Sequence, residues 1–281
     1  DILRAARDEG LRWRDMAVIV RDPEAYLDLI ERVFTDYGIP VFRDQKRSVV
    51  HHPLIEFVRA ALDVVRTHWR YDSVFRCVKT DFFLVPGRED RRAMDELENY
   101  VLAFGIQGSL WTHPDRWTFR PSDGLIADEA EADAEEEPGK AMEAYLERIH
   151  RARMDVVRPL AAFERRVRQC AHAEGFVEAL VALLDDVRAA ERLERWSEAE
   201  LAAGNPEKAR EHVQVWSGLM DALDQIVEVL GQEPVGLDTF GDILEAGLKE
   251  LTLGLVPPSL DQVLIGSPER TRPANIRRCY L

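Results

Sequence analysis

Basic side chains collect at two places in this 281-residue chain, and their types suit the binding of phosphates. One cluster follows Gly38-Ile-Pro-Val-Phe42 and the other follows Leu260–Ile265. Guanidinium groups and backbone amides at strand ends can hold the phosphates of DNA or of a nucleotide. Ordinary surface charge explains the spacing equally well. The candidate phosphate-binding residues are Arg43, Lys46, Arg47, His51, Arg270 and Arg272, and the same two clusters also contain His52, Arg277 and Arg278.

The sequence contains no complete catalytic or metal-binding motif. It lacks a Gly-x-x-x-x-Gly-Lys-Ser/Thr phosphate loop, Gly-x-Ser-x-Gly, His-Glu-x-x-His and a Gly-x-Gly-x-x-Gly after a strand. His51 and His52 are adjacent, so their side chains diverge on a helix or strand and a shared metal is not expected. The three cysteines have no Cys-x-x-Cys spacing. We therefore predict no catalytic residue, no metal site and a reducing compartment.

The composition limits the classes of partner. The formal net charge of −15, from 37 basic and 52 acidic residues, argues against binding nucleic acid by overall charge. A local basic patch is still compatible with it, because physiological salt screens exposed charges beyond about 8 Å. No apolar run reaches the roughly 18 residues of a membrane helix, and no signal peptide is recognisable. The sequence thus predicts a cytoplasmic protein that does not cross a membrane.

The elements around the first basic cluster predict an α/β domain. Met16–Val20 is a continuous apolar run, typical of a strand that is covered on both faces. Asp22-Pro23 starts a helix with Tyr26, Leu27, Ile30, Val33 and Phe34 on its buried side, and Gly38 ends it. A second strand follows at Pro40–Phe42. A strand, a helix and a strand in this order indicate a parallel sheet.

A long helical region follows. Pro53 occupies the first position of an amphipathic helix, where the amide that proline lacks would have no partner. The helical period then continues almost to residue 250, and these apolar stripes can be buried only against one another, as in a helical bundle. Asp72 is expected to cap the helix that comes next, and Phe176–Leu193 is expected to form a single helix. Trp111 and Trp117 are expected to anchor an irregular segment onto that bundle.

Short apolar runs return at Leu260–Ile265 and at Ile276–Leu281, and they predict two more strands. The simplest fold is mainly α, with a partial α/β domain of parallel strands that a large helical insertion interrupts. We predict the boundaries 1–50, 51–257 and 258–281, with the first and last ranges sharing one sheet. Both basic clusters are then expected near the same edge of that sheet. Because the chain opens without methionine and closes on a strand, we expect it to be a fragment of a longer protein.

The segment Asp128–Glu137 has seven acidic residues in ten positions. Such a run repels itself and has no apolar anchor, which favours a solvated loop. The alternative is an electrostatic role in which the segment repels DNA from one surface, an effect that would weaken with salt.

Six segments in this order resemble the AddB subunit of the bacterial AddAB helicase-nucleases. The resemblance implies the second, RecA-like motor domain of a UvrD-type superfamily 1 helicase fold, with a helical domain inserted into it. It also implies an AddA-like helicase-nuclease partner, DNA double-strand-break end processing, homologous recombination and recognition of the Chi sequence. The segments are Trp13-Arg-Asp-Met-Ala-Val-Ile-Val-Arg-Asp22, Tyr37-Gly-Ile-Pro-Val-Phe42, Lys46-Arg-Ser-Val-Val-His-His-Pro-Leu-Ile55, Lys79-Thr-Asp81, Leu97-Glu-Asn-Tyr-Val-Leu-Ala-Phe-Gly-Ile106 and Gly266-Ser-Pro-Glu-Arg-Thr-Arg272.

One departure from the active relatives bears on catalysis. They have a Thr-x-His-x-x-Lys-Gly-like segment where this chain has Gly266-Ser-Pro-Glu-Arg-Thr-Arg272, so ATP-driven translocation by this domain is not expected. The resemblance places the phosphate loop upstream of Asp1, and the nuclease motif and iron-sulfur cysteines downstream of Leu281. ATP, Mg and the iron-sulfur cluster would then bind the whole subunit and not this fragment.

The favoured interpretation is a non-catalytic fragment that forms part of a DNA path and a subunit interface. One alternative is half of an active ATP-dependent helicase motor, with Arg270 or Arg272 contacting the γ-phosphate. The other alternative is a purely structural helical scaffold.

Overall fold

A computed structural model describes residues 1–21, 23–43, 47–49, 51–85, 91–119, 138–253, 261–269, 271 and 276–281. The chain divides into two compact units. The first, here called the α/β unit, contains Asp1–Ser48, Glu200–Glu211 and Thr252–Leu281. The second, the helical unit, contains Val49–Ala199 and His212–Leu251. The acidic segment Asp128–Glu137 lies outside the described residues, so the expectation of a loop there is not examined by the structure.

The α/β unit is built on a parallel sheet. The described strands are β1 (Met16–Ile19), β2 (Val41–Arg43), β3 (Arg47–Ser48), β4 (Thr252–Leu253), β5 (Val263–Gly266) and β6 (Arg278–Tyr280). Four of them form one sheet in the order β2-β5-β1-β6, and β3 pairs with β4 in a separate antiparallel ribbon. Ala17 is in register with Leu264 on one side and with Cys279 on the other, and all three pairings in the larger sheet are parallel.

The strand order confirms two predictions: strands from both ends of the chain lie in one sheet, and the fold is mainly α with a partial α/β part. The strand ends differ slightly from the prediction. β2 begins at Val41 because Pro40 has no N–H for the ladder and offers only its carbonyl oxygen, to which Val263 N–H donates at 2.9 Å. The domain boundaries remain a prediction.

Two helices accompany the sheet, α1 (Ile2–Asp8) and α2 (Pro23–Asp36). A small core joins Ala5 of α1 to Met16, Ile39 and Val263, all of which are buried. The predicted buried side of α2 is only partly correct. Leu27 is 3% exposed, but Tyr26 and Val33 are 54% and 41% exposed, as are Leu29 and Tyr37 to similar extents. The apolar arc of α2 is therefore wider than the surface that covers it.

The remaining helices are mostly in the helical unit, where α3 packs on α4, and α7 packs on α5 and α8. Their bounds are α3 (Pro53–Arg66), α4 (Tyr71–Val78), α5 (Arg91–Phe104), α6 (Ser109–Thr112), α7 (Pro138–Val167), α8 (Ala173–Asp186), α9 (Ala189–Ala202), α10 (Pro206–Leu230) and α11 (Leu237–Glu250). Pro53 opens α3 as predicted, and the residue before it caps the helix, since Leu54 N–H donates to His52 Nδ1 at 3.2 Å.

Two details of the helical prediction were wrong. A single helix was expected over Phe176–Leu193, but the chain turns after α8 because Arg188 adopts a left-handed conformation with φ of 52°. Asp72 was expected to cap the next helix after α3, but Arg70 holds the cap position and Asp72 lies in the first turn of α4. Neither the turn at Arg188 nor the cap at Arg70 carries a glycine, proline or short polar residue that would reveal it.

The two tryptophans anchor their segment as expected, with Trp111 fully buried and Trp117 8% exposed. Arg153 of α7, which is 1% exposed, also binds this segment. Its guanidinium donates to the main-chain oxygens of Trp111 at 2.7 Å, Asp115 at 2.9 Å and His113. It also lies over the Trp117 ring, 4.5 Å from the ring centre.

Candidate phosphate-binding edge of the sheet

The carboxyl ends of the parallel strands bring two predicted segments together. β2 and β5 are neighbours, and Arg43, the last residue of β2, is in register with Ile265. Beyond β5, Val20 N–H donates to Gly266 O at 2.9 Å, so the chain that leaves β1 lies beside the end of β5. Ligands of open α/β sheets bind outside the carboxyl ends of the strands. This edge is therefore the candidate site in the α/β unit.

A tight turn forms the centre of this edge. Thr271 N–H donates to Ser267 O at 2.9 Å, and Thr271 is 8% exposed. Gly266 lies so close to Thr271 that a Cβ at position 266 would overlap the threonine Oγ1 and lie 2.8 Å from its Cβ. Only glycine permits this approach.

The structure describes three of the six predicted phosphate-binding residues, and they lie in different elements. Arg43 ends β2 at the carboxyl edge, and Arg47 lies in β3, in register with Leu253 of β4. His51 occupies an exposed turn before α3 and belongs to the helical unit. The other three, Lys46, Arg270 and Arg272, lie outside the described residues.

Three residues of the predicted basic clusters make structural contacts away from the carboxyl edge. Arg277 and Arg278 lie at the start of β6, which is the amino edge of the sheet, because the strands are parallel. There Arg277 N–H donates to Asp15 O at 2.8 Å, and the Arg278 guanidinium binds Glu9 through two contacts of 2.7 Å. The expectation that both complete clusters share one edge is therefore wrong for these two arginines. His52 is buried and caps α3, so it is not part of a surface site.

Within the helical unit, a groove of about 240 Å³ between α3 and α11 also contains arginines. Each of them is already bound by carboxylates: Arg59 by Glu245 at 2.7 Å, Arg66 by Asp238 at 2.8 Å, and Arg76 by Glu56 at 2.7 Å. The groove therefore does not favour an anion. Hydrogen bonds to Glu56 and Asp63 raise the pKa of Arg76, while burial opposes them.

Among the described residues, no group of three histidine, cysteine or acidic side chains is arranged to hold a metal ion. None of the helices in that part of the chain combines the length and apolar composition that crossing a membrane requires.

Comparison with known proteins shows which proteins the chain is similar to. No family model matches it. It is 43% identical over 281 residues to AddB of Desulforudis audaxviator, which is named as an ATP-dependent helicase/deoxyribonuclease subunit, and the alignment covers 100% of this chain and 24% of that protein. The proteins of the same name from Geobacillus kaustophilus and Heliobacterium modesticaldum are 43% and 44% identical, again over 100% of this chain and over 24% and 22% of the respective relative. The homologues of this chain are AddB proteins, and it matches an internal part of them.

The chain spans about a quarter of the length of the AddB relatives that it matches. The segments that carry the AddB resemblance include Gly266–Arg272, whose close packing of Gly266 on Thr271 sequence reasoning did not foresee. A glycine at the end of a predicted strand was the available signal, since it marks close backbone approach.

Proposed function

We propose that this chain forms part of the DNA path of an AddB-type helicase/deoxyribonuclease subunit. In this proposal the subunit acts in the cytoplasm with an AddA-like helicase-nuclease partner, in DNA double-strand-break end processing and homologous recombination. The chain itself contributes phosphate contacts and an interface, and no catalytic group. The domain division into 1–50, 51–257 and 258–281 is part of the same proposal.

One observation supports the DNA contact most directly. Parallel pairing puts Arg43 and the Ser267–Thr271 turn at the same carboxyl edge, although they are distant in sequence. Arginine can hold a phosphate through two parallel hydrogen bonds, and backbone amides at strand ends can add to them. Homology to proteins named helicase/deoxyribonuclease makes DNA the phosphate source that we propose. The proposed contacts are Arg43, Lys46, Arg47, His51, Arg270 and Arg272.

The test is a DNA titration at several salt concentrations. Fluorescence anisotropy of a tailed duplex would be measured with the 281-residue chain and with a variant carrying Arg43→Gln, Lys46→Gln and Arg47→Gln. Each neutralised phosphate contributes about 0.9 to the slope of log affinity against log salt on duplex DNA. The variant is expected to bind more weakly and with a slope that is shallower by up to about 2.7.

A matched control removes three exposed arginines from α1 and the amino edge, by Arg4→Gln, Arg7→Gln and Arg12→Gln. It changes the net charge equally and should leave the slope close to that of the unmodified chain. An equal loss in both variants would mean that overall charge, and not the carboxyl edge, governs binding. Absence of binding at low salt would overturn the proposed function and leave a scaffold.

A further inference from the structure

Helix α7 is a basic element in an acidic protein. Of its 30 residues, seven are lysine or arginine and four are aspartate or glutamate, whereas the whole chain has a net charge of −15. One face of the helix packs against α5 and α8. Arg153 is buried, and the other basic residues of α7 lie on its remaining surface.

Three exposed arginines form a row along α7, and Arg151, Arg158 and Arg165 follow each other at intervals of seven residues. Seven residues make nearly two helical turns, so the three side chains lie on the same side of the helix. At 1.5 Å per residue, neighbours in the row are about 10 Å apart and its ends are about 21 Å apart. These three residues are here called the arginine row.

Three other arginines in this stretch bind carboxylates, whereas the arginine row has no carboxylate partner among the described residues. Arg148 binds Glu96 at 3.2 Å, Arg166 binds Asp186 at 2.7 Å and Arg168 binds Glu164 at 2.7 Å. Throughout the described ranges, no carboxylate lies within ion-pair distance of the row. Two acidic residues stand between its members. Asp155 is half-buried and takes part in an interaction of its own, and Glu164 accepts from Trp69 Nε1 at 2.9 Å and binds Arg168.

His150 lies close to several arginines. Burial is the first cause that lowers its pKa, followed by the charges of Arg116 and Arg153; Glu147 raises the pKa, and Arg158 of the row lowers it by the smallest amount. The acidic neighbour Glu147 is itself bound to Arg116 at 2.5 Å. His150 Nδ1 is buried and has no hydrogen-bond partner in the part of the chain that the structure describes.

We propose that the arginine row binds the phosphate backbone of DNA, as a second contact surface separate from the sheet edge. The proposal rests on the function proposed above, because it assigns a DNA contact to the helical unit as well. Unpaired guanidinium groups lose no ion pair when they bind phosphate, and they can bind it in a bidentate manner. Duplex DNA carries one charge per about 1.7 Å of its axis, so a row of about 21 Å can meet a phosphate at each of its three positions.

The test uses the same tailed duplex and the 281-residue chain. A variant with Arg151→Gln, Arg158→Gln and Arg165→Gln should bind with a salt slope shallower by about 2.7 if each arginine neutralises one phosphate. Affinity at low salt should fall at least about tenfold. Replacing the three arginines by lysine should retain most of the slope, because charge is kept. Circular dichroism melting would establish that each variant is folded.

The matched control is Arg148→Gln, Arg166→Gln and Arg168→Gln, which removes the same charge from the same stretch but from arginines that are already paired. A smaller loss in the control than in the row variant supports the proposal. Equal losses would overturn it, because they would reflect overall charge.

Two further outcomes separate this proposal from the proposed function. If the row variant binds DNA with an unchanged salt slope, the proposal for the arginine row is wrong and the sheet-edge function still stands. If the unmodified chain does not bind DNA, both proposals are wrong. A row that binds a polyglutamate peptide but not DNA would identify an acidic protein as the partner instead.

Discussion

His52 Nε2 and His212 Nδ1 lie 2.9 Å apart and share a hydrogen bond. Because Leu54 N–H donates to His52 Nδ1, the ring hydrogen of His52 is on Nε2, which donates to His212. The bond joins the cap of α3 to α10, and the ring of His212 also lies 5.7 Å from that of Trp196 in α9. Burial, followed by the charge of His212, lowers the pKa of His52 to about 4.

This pair predicts that stability falls with acidification. The pKa of His52 is lower in the folded chain than its ordinary value of 6.5, so the unfolded chain takes up a proton first. The free energy of unfolding should be greatest above pH 6.5 and should decline as the pH falls from 6.5 to about 4, with an upper bound of about 3 kcal/mol from His52. Urea unfolding at a series of pH values measures it. His52→Asn, which can still cap α3, should flatten this dependence.

His51→Asn is the control, since it removes an adjacent imidazole that is exposed. It should keep the pH dependence of the unmodified chain. The lowered pKa of His150 contributes a decline in the same direction to every variant, so the comparison between His52→Asn and His51→Asn is what matters. The same pH dependence in both variants would contradict a neutral buried His52.

A second prediction concerns the buried Arg153. Arg153→Met leaves the main-chain oxygens of Trp111, His113 and Asp115 without their donor, so the free energy of unfolding should fall by about 2–4 kcal/mol. Arg151→Met, two residues earlier on the exposed side of α7, should change it by less than about 0.5 kcal/mol. Chemical unfolding monitored by tryptophan fluorescence would compare them. Similar losses would show that the 110–115 segment does not depend on Arg153.

A third prediction concerns the turn at the carboxyl edge. In Gly266→Ala the new Cβ would overlap Thr271, and the overpacking should cost about 2–3 kcal/mol of stability in the α/β unit. Thr271→Gly removes the obstructing side chain, so the double variant should lose less than the sum of the two single changes. Hydrogen exchange of the β5 amides gives the local measurement. Strict additivity would mean that the two residues are not in contact.

A fourth prediction compares two glycines of α11. Apart from its chain neighbours and the backbone of α11, no atom of the described residues lies within 4 Å of a Cβ built on Gly247, so Gly247→Ala should stabilise the chain by about 0.5–1 kcal/mol through helix propensity. A Cβ on Gly241 would lie 3.0 Å from the guanidinium of Arg66, which binds Asp238. Gly241→Ala should therefore gain about 1 kcal/mol less than Gly247→Ala, because the propensity gain is offset by displacement of Arg66. Equal shifts in thermal midpoint would count against this role of Gly241.

The sheet was predictable because its signals are local. Met16–Val20 is a continuous apolar run, Pro53 and Gly38 mark element ends, and parallel strands in a βαβ order constrain which edge carries the loops. The position of Arg43 at the carboxyl edge follows from those facts alone. Arg278 was misplaced because a residue at the start of a parallel strand lies at the other edge, and its bond to Glu9 joins positions 269 residues apart.

The remaining features depend on contacts that have no sequence signature. The bond between His52 and His212 spans 160 residues, and Arg153 is buried because the segment after α6 folds over it. Burial of an arginine cannot be inferred from its neighbours on the helix when its partners are main-chain oxygens. The seven-residue spacing of Arg151, Arg158 and Arg165 was visible in the sequence, but the absence of a carboxylate partner for them among the described residues was not.

The strand order has a consequence for synthesis on the ribosome. β1 and β2 do not pair with each other, and the strand between them, β5, lies roughly 250 residues after β1. At a translation rate of about 5–20 residues per second, β5 is synthesised on the order of ten to fifty seconds after β1 and β2. The sequence of the helical unit is complete before β5 emerges, so that unit can fold first. Until then the apolar Met16–Ile19 segment has no neighbour in the larger sheet, and we expect the nascent chain to need chaperone protection there.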